Sequence, residues 1–359
     1  MKLQGGRVLL TATLLLATLA CVAGTPPGYP RSYKNLVDVA ARERQLSIYS
    51  TTDAREVAEL LRDFRSMYPQ LRVEYADLNS TELYSRFIAE VAAKEGTADI
   101  LWSSAMDLQI KLVNDGYAQA YASPEKPNLP AWAIWKNEAW GTTGEPVVMV
   151  YNKRLMPAAD VPQTRADLER LLTTNPAYRG KVATFNPERS GVGFLYITQD
   201  LQVTRSTWRL VRAMGSADVQ LYSSAGAMLE RIASGEHLIG YNMIGPYAFE
   251  RHARDASVDV ILPQDYMLVA SRIALIPADA RNPAAAKLFL DYLLSKRGQA
   301  RLANRFMTPV RSDVPSTTMA AYDAQRTRAI RVGPELLANL DQIKRLRLLK
   351  EWRNALREQ

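Results

Sequence analysis

The chain reads as an α/β fold of two lobes, each built on a mostly parallel sheet with helices on both faces. Three observations predict it. Short apolar runs rich in β-branched and aromatic residues alternate with amphipathic stretches of helical spacing along most of the 359 residues. Three of those runs, 46–50, 99–102 and 182–185, stop at small polar residues that open a helix. An apolar run at 147–151 then leaves the first series and an extended stretch at 266–276 returns to it, which implies two lobes joined by a pair of crossovers with a cleft between them.

Lys2 and Arg7 precede an apolar core from Val8 to Ala17 that is too short to span a bilayer, and Ala20, Ala23 and Gly24 follow. Residues 1–24 therefore read as a signal peptide, with lipidation at Cys21 left open, and the expected address is the periplasm. Cys21 is the only cysteine, so the exported body has no disulfide and must rest on a large core. The formal charge is +8, of which Lys2 and Arg7 supply two. That excess favours anionic partners, but the basic residues are spread among acids, which argues against nucleic acid. The densest run, Lys344 to Lys350, is expected on a solvated helix.

Residues 25–44 read as a polar leader running along the surface to the first strand. After Asp53, Val57, Leu60, Leu61, Phe64 and Tyr68 recur at helical spacing until Pro69 stops the helix. Residues 71–76 alternate as a strand, and Asn79 with Glu82 forms a capping pair for a helix through Leu83, Phe87 and Val91. The strand 99–102 follows, with Ser104 and Asp107 as the capping pattern of the next helix. Such βαβαβα alternation implies right-handed parallel crossovers. The Pro- and Trp-rich segment 124–140 breaks the rhythm, and 147–151 is the first crossing. Helices at 166–172, after Ser190, at 228–232 and at 246–253 alternate with strands at 182–185, 238–241 and 258–262. After the return at 266–276 the chain ends on helices at 282–294, at 296–304 and from Pro334 onward. The expected partition is 45–146 with 266–359 as the first lobe and 147–265 as the second.

Ligands of open α/β sheets sit beyond the carboxyl ends of strands, where helix N-termini offer unpaired N–H groups. The expected ligand set is therefore Ser50, Thr51 and Thr52 with Ser103 and Ser104 from one lobe, facing Ser190, Gly191, Val192 and Gly193 from the other. Tyr241 and Asn242, at a strand end, would read the remainder of the ligand. Neutral hydroxyls and bare backbone suit a phosphate or carboxylate compound without a buried cation. Ser104 and Ser190 also fit as plain helix caps, and Asp53 would fill the anion position if its carboxylate capped the first helix. No cofactor or metal is expected. Catalysis finds no support either: the chain has no Walker lysine loop and no H-E-x-x-H, and the segment at Ser190 lacks the leading glycine of a nucleophile elbow.

Ile48-Tyr49-Ser50, Ala98-Asp99-Ile100, Val150-Tyr151-Asn152-Lys153, Asn186-Pro187 and the element from Asn282-Pro283 through Phe289 to Leu294-Ser295-Lys296-Arg297-Gly298-Gln299 together resemble the solute-binding proteins of bacterial ABC transporters. The branch resembled includes ferric-ion, thiamine, phosphonate and sugar-phosphate binders. The resemblance implies a type II periplasmic-binding fold and a small anionic solute, an organophosphate or similar, captured by hinge closure. It further implies a monomer that presents its ligand to an ABC permease in the inner membrane. The tail from Leu336 to Trp352 is also similar to phosphoglycerate-transport regulatory proteins, which implies a sensor kinase as the alternative partner. The ferric subgroup resembles an adjacent Tyr-Tyr pair at the position where this chain has Tyr241 and Tyr247, six residues apart.

Overall fold

The computed structural model describes residues 26, 28–318 and 325–357. The signal segment and Cys21 lie outside the described residues. The chain enters on helix α1 (Tyr33–Glu43), then runs β1 (Gln45–Ser50), α2 (Ala54–Met67), β2 (Arg72–Asp77), α3 (Ser80–Ala92), β3 (Ile100–Ser103) and α4 (Met106–Asn114). The short strands β4 (Ile134–Trp135) and β5 (Ala139–Gly141) precede β6 (Glu145–Asn152), α5 (Arg165–Thr174), β7 (Val182–Phe185), α6 (Gly191–Val203) and α7 (Thr207–Ser216). There follow β8 (Gln220–Tyr222), α8 (Ala225–Ala233), β9 (Ile239–Ile244), α9 (Gly245–Arg254), β10 (Val258–Ile261), β11 (Met267–Ala270) and β12 (Ile273–Leu275). The last elements are α10 (Pro283–Leu294), α11 (Lys296–Ala303), β13 (Thr327–Ala329) and α12 (Gln342–Arg357).

Two sheets result, ordered β2-β1-β3-β12-β5-β4 and β13-β11-β6-β9-β7-β8, with β10 on β6. Strands within each βα series are parallel, as alternation requires. The crossing strands enter antiparallel, β12 on β3 and β6 on β9, because a chain that changes lobe arrives from the opposite direction. Alternate residues serve opposite faces. Leu46 and Ile48 pack under α1, α2 and α10, whereas Tyr49 packs toward α3 and α4. In the second sheet Val182 and Ile239 face α5 and α7, and Ala183 and Met243 face α8 and α9.

The two crossings run side by side. Thr142 N donates to Arg272 O at 2.9 Å, and Arg272 N donates to Thr143 Oγ1 at 2.9 Å. A third pass lies alongside, with Gly144 N donating to Thr308 O at 2.9 Å.

Three local expectations change. The segment before β1 is not a surface leader: Tyr33, Val37 and Ala40 recur at helical spacing and are buried in α1, and Tyr33 Oη donates to Asp291 at 2.8 Å. Ser104 and Asp107 form no capping box; the N-cap of α4 is Ala105, and Ser103 Oγ accepts from its amide at 3.2 Å. The extended stretch at 266–276 divides into β11 and β12 at Ser271-Arg272, where it changes sheets.

The tail corrects the expected partition. A 3₁₀ turn at Pro334–Asn339 packs on α4 of the first lobe, but α12 packs on α7 of the second, with Trp352 and Ala355 buried in that core. Within the basic run Lys344 to Lys350, Arg345 lies over the Phe194 ring at 4.2 Å and Leu349 is buried, whereas Lys344, Arg347 and Lys350 are exposed, so the face expected to be solvated is so only in part; beyond it Arg353 pairs with Glu188 at 2.8 Å. A β-carbon on Gly215 in α7 would lie 2.3 Å from Leu356 O of α12, so this approach of two backbones admits glycine alone. A glycine in a helix interior costs up to about 1 kcal/mol relative to alanine, and less in the last turn, where Gly215 stands. Here the sign should invert: Gly215→Ala is expected to lower stability by about 1–3 kcal/mol through the forced shift of α12, measured as a fall in the urea midpoint.

Candidate functional site

The loops that follow β1 and β2 in the first sheet meet α6, α8 and α9 of the second lobe around a cavity of about 170 Å³. The first lobe lines it with Thr51, Asp53, Asp77, Leu78, Asn79, Ser80 and Ser104. The second lobe supplies Phe185, Val192, Ser223, Ser224, Ala225, Gly226, Ile244 and Tyr247. No Lys, Arg or His is among these lining residues. The space is large enough for a small polar solute with its hydration.

Of the residues expected at the site, the lining includes Thr51, Ser104 and Val192. Thr51 Oγ1 accepts from Ser104 N at 2.9 Å and lies 3.1 Å from Ser104 Oγ, a hydroxyl pair that ties the first and third strand ends together. Ser50 and Thr52 sit behind them, fully buried: Ser50 Oγ accepts from Thr52 N at 3.1 Å, and Thr52 Oγ1 accepts from Arg272 Nη1 at 2.7 Å. Ser103 is occupied with Ala105 N.

The start of α6 is used for lobe contact. Ser190 Oγ caps its own helix by accepting from Gly193 N at 3.2 Å. Val192 N donates to Ser80 Oγ at 3.3 Å, and Thr81 Oγ1 donates to Arg189 O at 3.2 Å, both across the lobes. Gly191 presses its backbone on the first lobe; a β-carbon there would lie 2.9 Å from Leu108.

Tyr241 and Asn242 do not line the cavity. Both bind Asp200, at 2.8 Å from Tyr241 Oη and 2.7 Å from Asn242 Nδ2. Neighbouring strand residues normally face opposite ways; Asn242 has φ +56° beside a register shift between β6 and β9, and the bulge turns both side chains to one side. Tyr266 Oη also donates to Asp200 at 2.7 Å, and Arg165 donates to Tyr241 Oη at 3.0 Å and to Tyr266 O at 2.7 Å. Burial pushes the Tyr241 phenol well up. This buried network holds β9, α5, α6 and the approach to β11 together.

The residues missed by sequence reasoning are Asp77, Tyr247 and the start of α8. Asp77 Oδ2, rather than Asp53, accepts from Ala54 N at 3.0 Å at the opening of α2, so that helix end already faces a carboxylate. Asp53 instead meets Tyr247 of the other lobe: Tyr247 Oη donates to Asp53 Oδ1 at 2.8 Å and accepts from Asp53 N at 3.1 Å. Helix α8 opens into the cavity, with Ser224 Oγ accepting from Ala227 N at 3.3 Å. The amides of Ala225 and Gly226 have no acceptor among the described residues. The signal in the sequence was Ser223-Ser224 before an apolar helical run, the same pattern that marked the other strand ends.

Two substitutions separate these roles. Asp200→Asn removes one of the two carboxylates facing buried Arg165, the other being Asp265 at 3.0 Å, and leaves donors of Tyr241, Tyr266 and Asn242 poorly matched; it should cost about 1–3 kcal/mol of stability in urea titration, while solute binding persists. Tyr247→Phe loses both bonds across the cleft, and its solute-free radius of gyration by X-ray scattering should exceed that of the unmodified protein; equal radii would deny Tyr247 a part in holding the lobes together.

Residues 59–328 match the family model of the bacterial extracellular solute-binding proteins. The substrate-binding protein of an ABC transporter from Agrobacterium tumefaciens is 38% identical, with a TM-score of 0.84 over 88% of this chain and 94% of that one. Two further solved structures share the fold alone. The periplasmic binding protein AfuA of Actinobacillus pleuropneumoniae, with fructose-6-phosphate bound, is 19% identical with a TM-score of 0.73 over 88% of this chain and 99% of that one. Iron-bound HitA of Pseudomonas aeruginosa is 18% identical with a TM-score of 0.68 over 87% of this chain and 99% of that one. An uncharacterized protein of Haemophilus influenzae is 27% identical over 143 residues, a match that spans 39% of either chain. With two lobes, paired crossings and a polar cavity between them, the chain belongs to the bacterial extracellular solute-binding protein family and has the type II periplasmic-binding fold of ABC-transporter substrate-binding proteins.

Proposed function

We propose that this protein is exported to the periplasm, captures a small solute bearing an oxyanion, a phosphate ester in the first instance, and delivers it to the permease of an ABC importer. A sensor kinase is the other membrane partner the tail's resemblance suggests. The observation that carries the reading is the open start of α8 in the inter-lobe cavity, where Ser223, Ser224 and the amides of Ala225 and Gly226 face Thr51 and Ser104. First-turn amides and the positive end of a helix dipole favour an oxyanion without a cationic side chain. Lobe contacts at Ser80–Val192, Thr81–Arg189 and Asp53–Tyr247 ring the same space, so a solute held there adds to what keeps the lobes together. Closure around it then makes affinity depend on the population of the closed form.

The ferric reading fits these contacts less well. Phenolate ligands must give up their protons, whereas Tyr241 donates to Asp200 and Tyr247 donates to Asp53, and burial pushes both phenols above the ordinary range.

Thermal-shift measurement with ethyl phosphate, fructose-6-phosphate, inorganic phosphate and Fe(III) tests the reading. A phosphate compound at a hundredfold excess over its Kd should add about 2.7 kcal/mol of stability. Gly226→Asp should cancel that gain, because its carboxylate competes at the helix start. A β-carbon at Gly226 meets only Ser224 Oγ at 3.7 Å, and an acidic first turn suits the helix, so the variant should fold. Undiminished stabilisation of the variant by the same compound would remove α8 from the site.

A further inference from the structure

We infer that the solute is a zwitterion, with its oxyanion on the start of α8 and a protonated amine between Asp53 and Asp77. This rests on the reading of the inter-lobe cavity as the solute site and adds what the other end of the solute must be.

The first lobe brings two carboxylates to the cavity wall and no cationic side chain to its lining. Each has one oxygen engaged, Asp53 Oδ1 by Tyr247 and Asp77 Oδ2 by Ala54 N, and its other oxygen has no hydrogen-bond donor among the described residues. Two arginines stand near the wall, and each is paired first with another carboxylate. Arg272, which reaches Thr52 behind the wall, pairs with Glu145 at 2.7 Å. Arg55 donates to Glu56 at 3.0 Å and lies 3.9 Å from Glu250, with the attraction of Asp53 the smallest of the three.

Burial first, and then the charge of Asp53, push the Asp77 carboxyl above its ordinary range, against the pull of the Ala54 amide. A purely anionic solute would meet that negative wall, and like charge there discriminates against it. Hydroxyls can donate to the two carboxylates but leave their mutual repulsion in place. An ammonium group satisfies both free oxygens and cancels the repulsion. The cavity is therefore polar in two senses, with donors from the second lobe and carboxylates from the first, and a solute carrying both charges is the one that joins them.

Matched probes test this by calorimetry on the mature protein: ethanolamine phosphate against ethyl phosphate, and β-alanine against propionate. Each pair shares its oxyanion and differs in the ammonium. The expected result is at least tenfold tighter binding of the ammonium-bearing member of a pair. In Asp53→Asn/Asp77→Asn that ratio should collapse to near one while ethyl phosphate binds as well as before or better. Asparagine at 77 still accepts from Ala54 N, and an unchanged thermal transition without solute confirms that the variant is folded. Equal affinities within each pair, or a ratio that survives in the double variant, would overturn the zwitterion while leaving the oxyanion site standing. Failure of all four probes to bind would instead remove the oxyanion site, and this inference with it.

Discussion

The Arg272–Glu145 ion pair ties the two crossings of the chain to one another and to the cavity wall. Arg272 is fully buried, donates through Nε to Glu145 at 2.7 Å and through Nη1 to Thr52 at 2.7 Å, and lies 5.6 Å from the Tyr247 ring. Glu145 opens β6, the strand that enters the second lobe, and Arg272 stands where β11 gives way to β12 on the way back. Desolvating two charges is expensive, and a buried pair is weak evidence of net stability. What it provides here is position: a single guanidinium fixes both hinge strands relative to the end of β1, which carries Thr51 to the cavity. Any relative movement of the lobes must be accommodated around it.

The motifs that carry the family resemblance have structural roles. Asp99 accepts from Ser47 N at 2.8 Å, from Asn282 N at 2.8 Å and from Asn282 Nδ2 at 3.0 Å, which joins β1, β3 and α10. Ser295 caps α11 by accepting from Gly298 N at 3.1 Å, and buried Gln299 donates to Thr142 O at 2.9 Å and accepts from Val310 N at 2.8 Å, bracing the hinge. Asn152 donates to Ile232 O at 2.7 Å and accepts from Arg154 N and Leu155 N at 3.1 Å. These residues specify how the lobes are built. They say nothing of the solute, because each is fully used inside the protein.

Four helix starts illustrate why a pattern of small polar residues after a strand locates candidate anion sites without ranking them. The start of α2 is filled by Asp77, that of α4 closes on Ser103, and that of α6 is pressed against the first lobe. Of these four, the start of α8 opens into the cavity with the amides of Ala225 and Gly226 unengaged among the described residues, and Asn79 and Ser80 bring the start of α3 to the same space. All four look alike in sequence, and what separates them is which neighbour arrives from another segment.

The amino-acid sequence by itself determined the two-lobed α/β architecture, the strands that cross between lobes, the Asn79–Glu82 cap and most of the core, because those depend on periodicity and on contacts close along the chain. Helix α1 is legible in the same terms, from the spacing of Tyr33, Val37 and Ala40 after the prolines. Tertiary structure decided the rest. Asp53, Asp77, Ser223–Gly226 and Tyr247 come to the cavity from four segments, and Tyr241 and Asn242 do not reach it because a bulge turns them toward Asp200. Charge at a cavity wall depends on which side chains have already been neutralised by partners distant in sequence, and that balance exists only once the two lobes have been brought face to face.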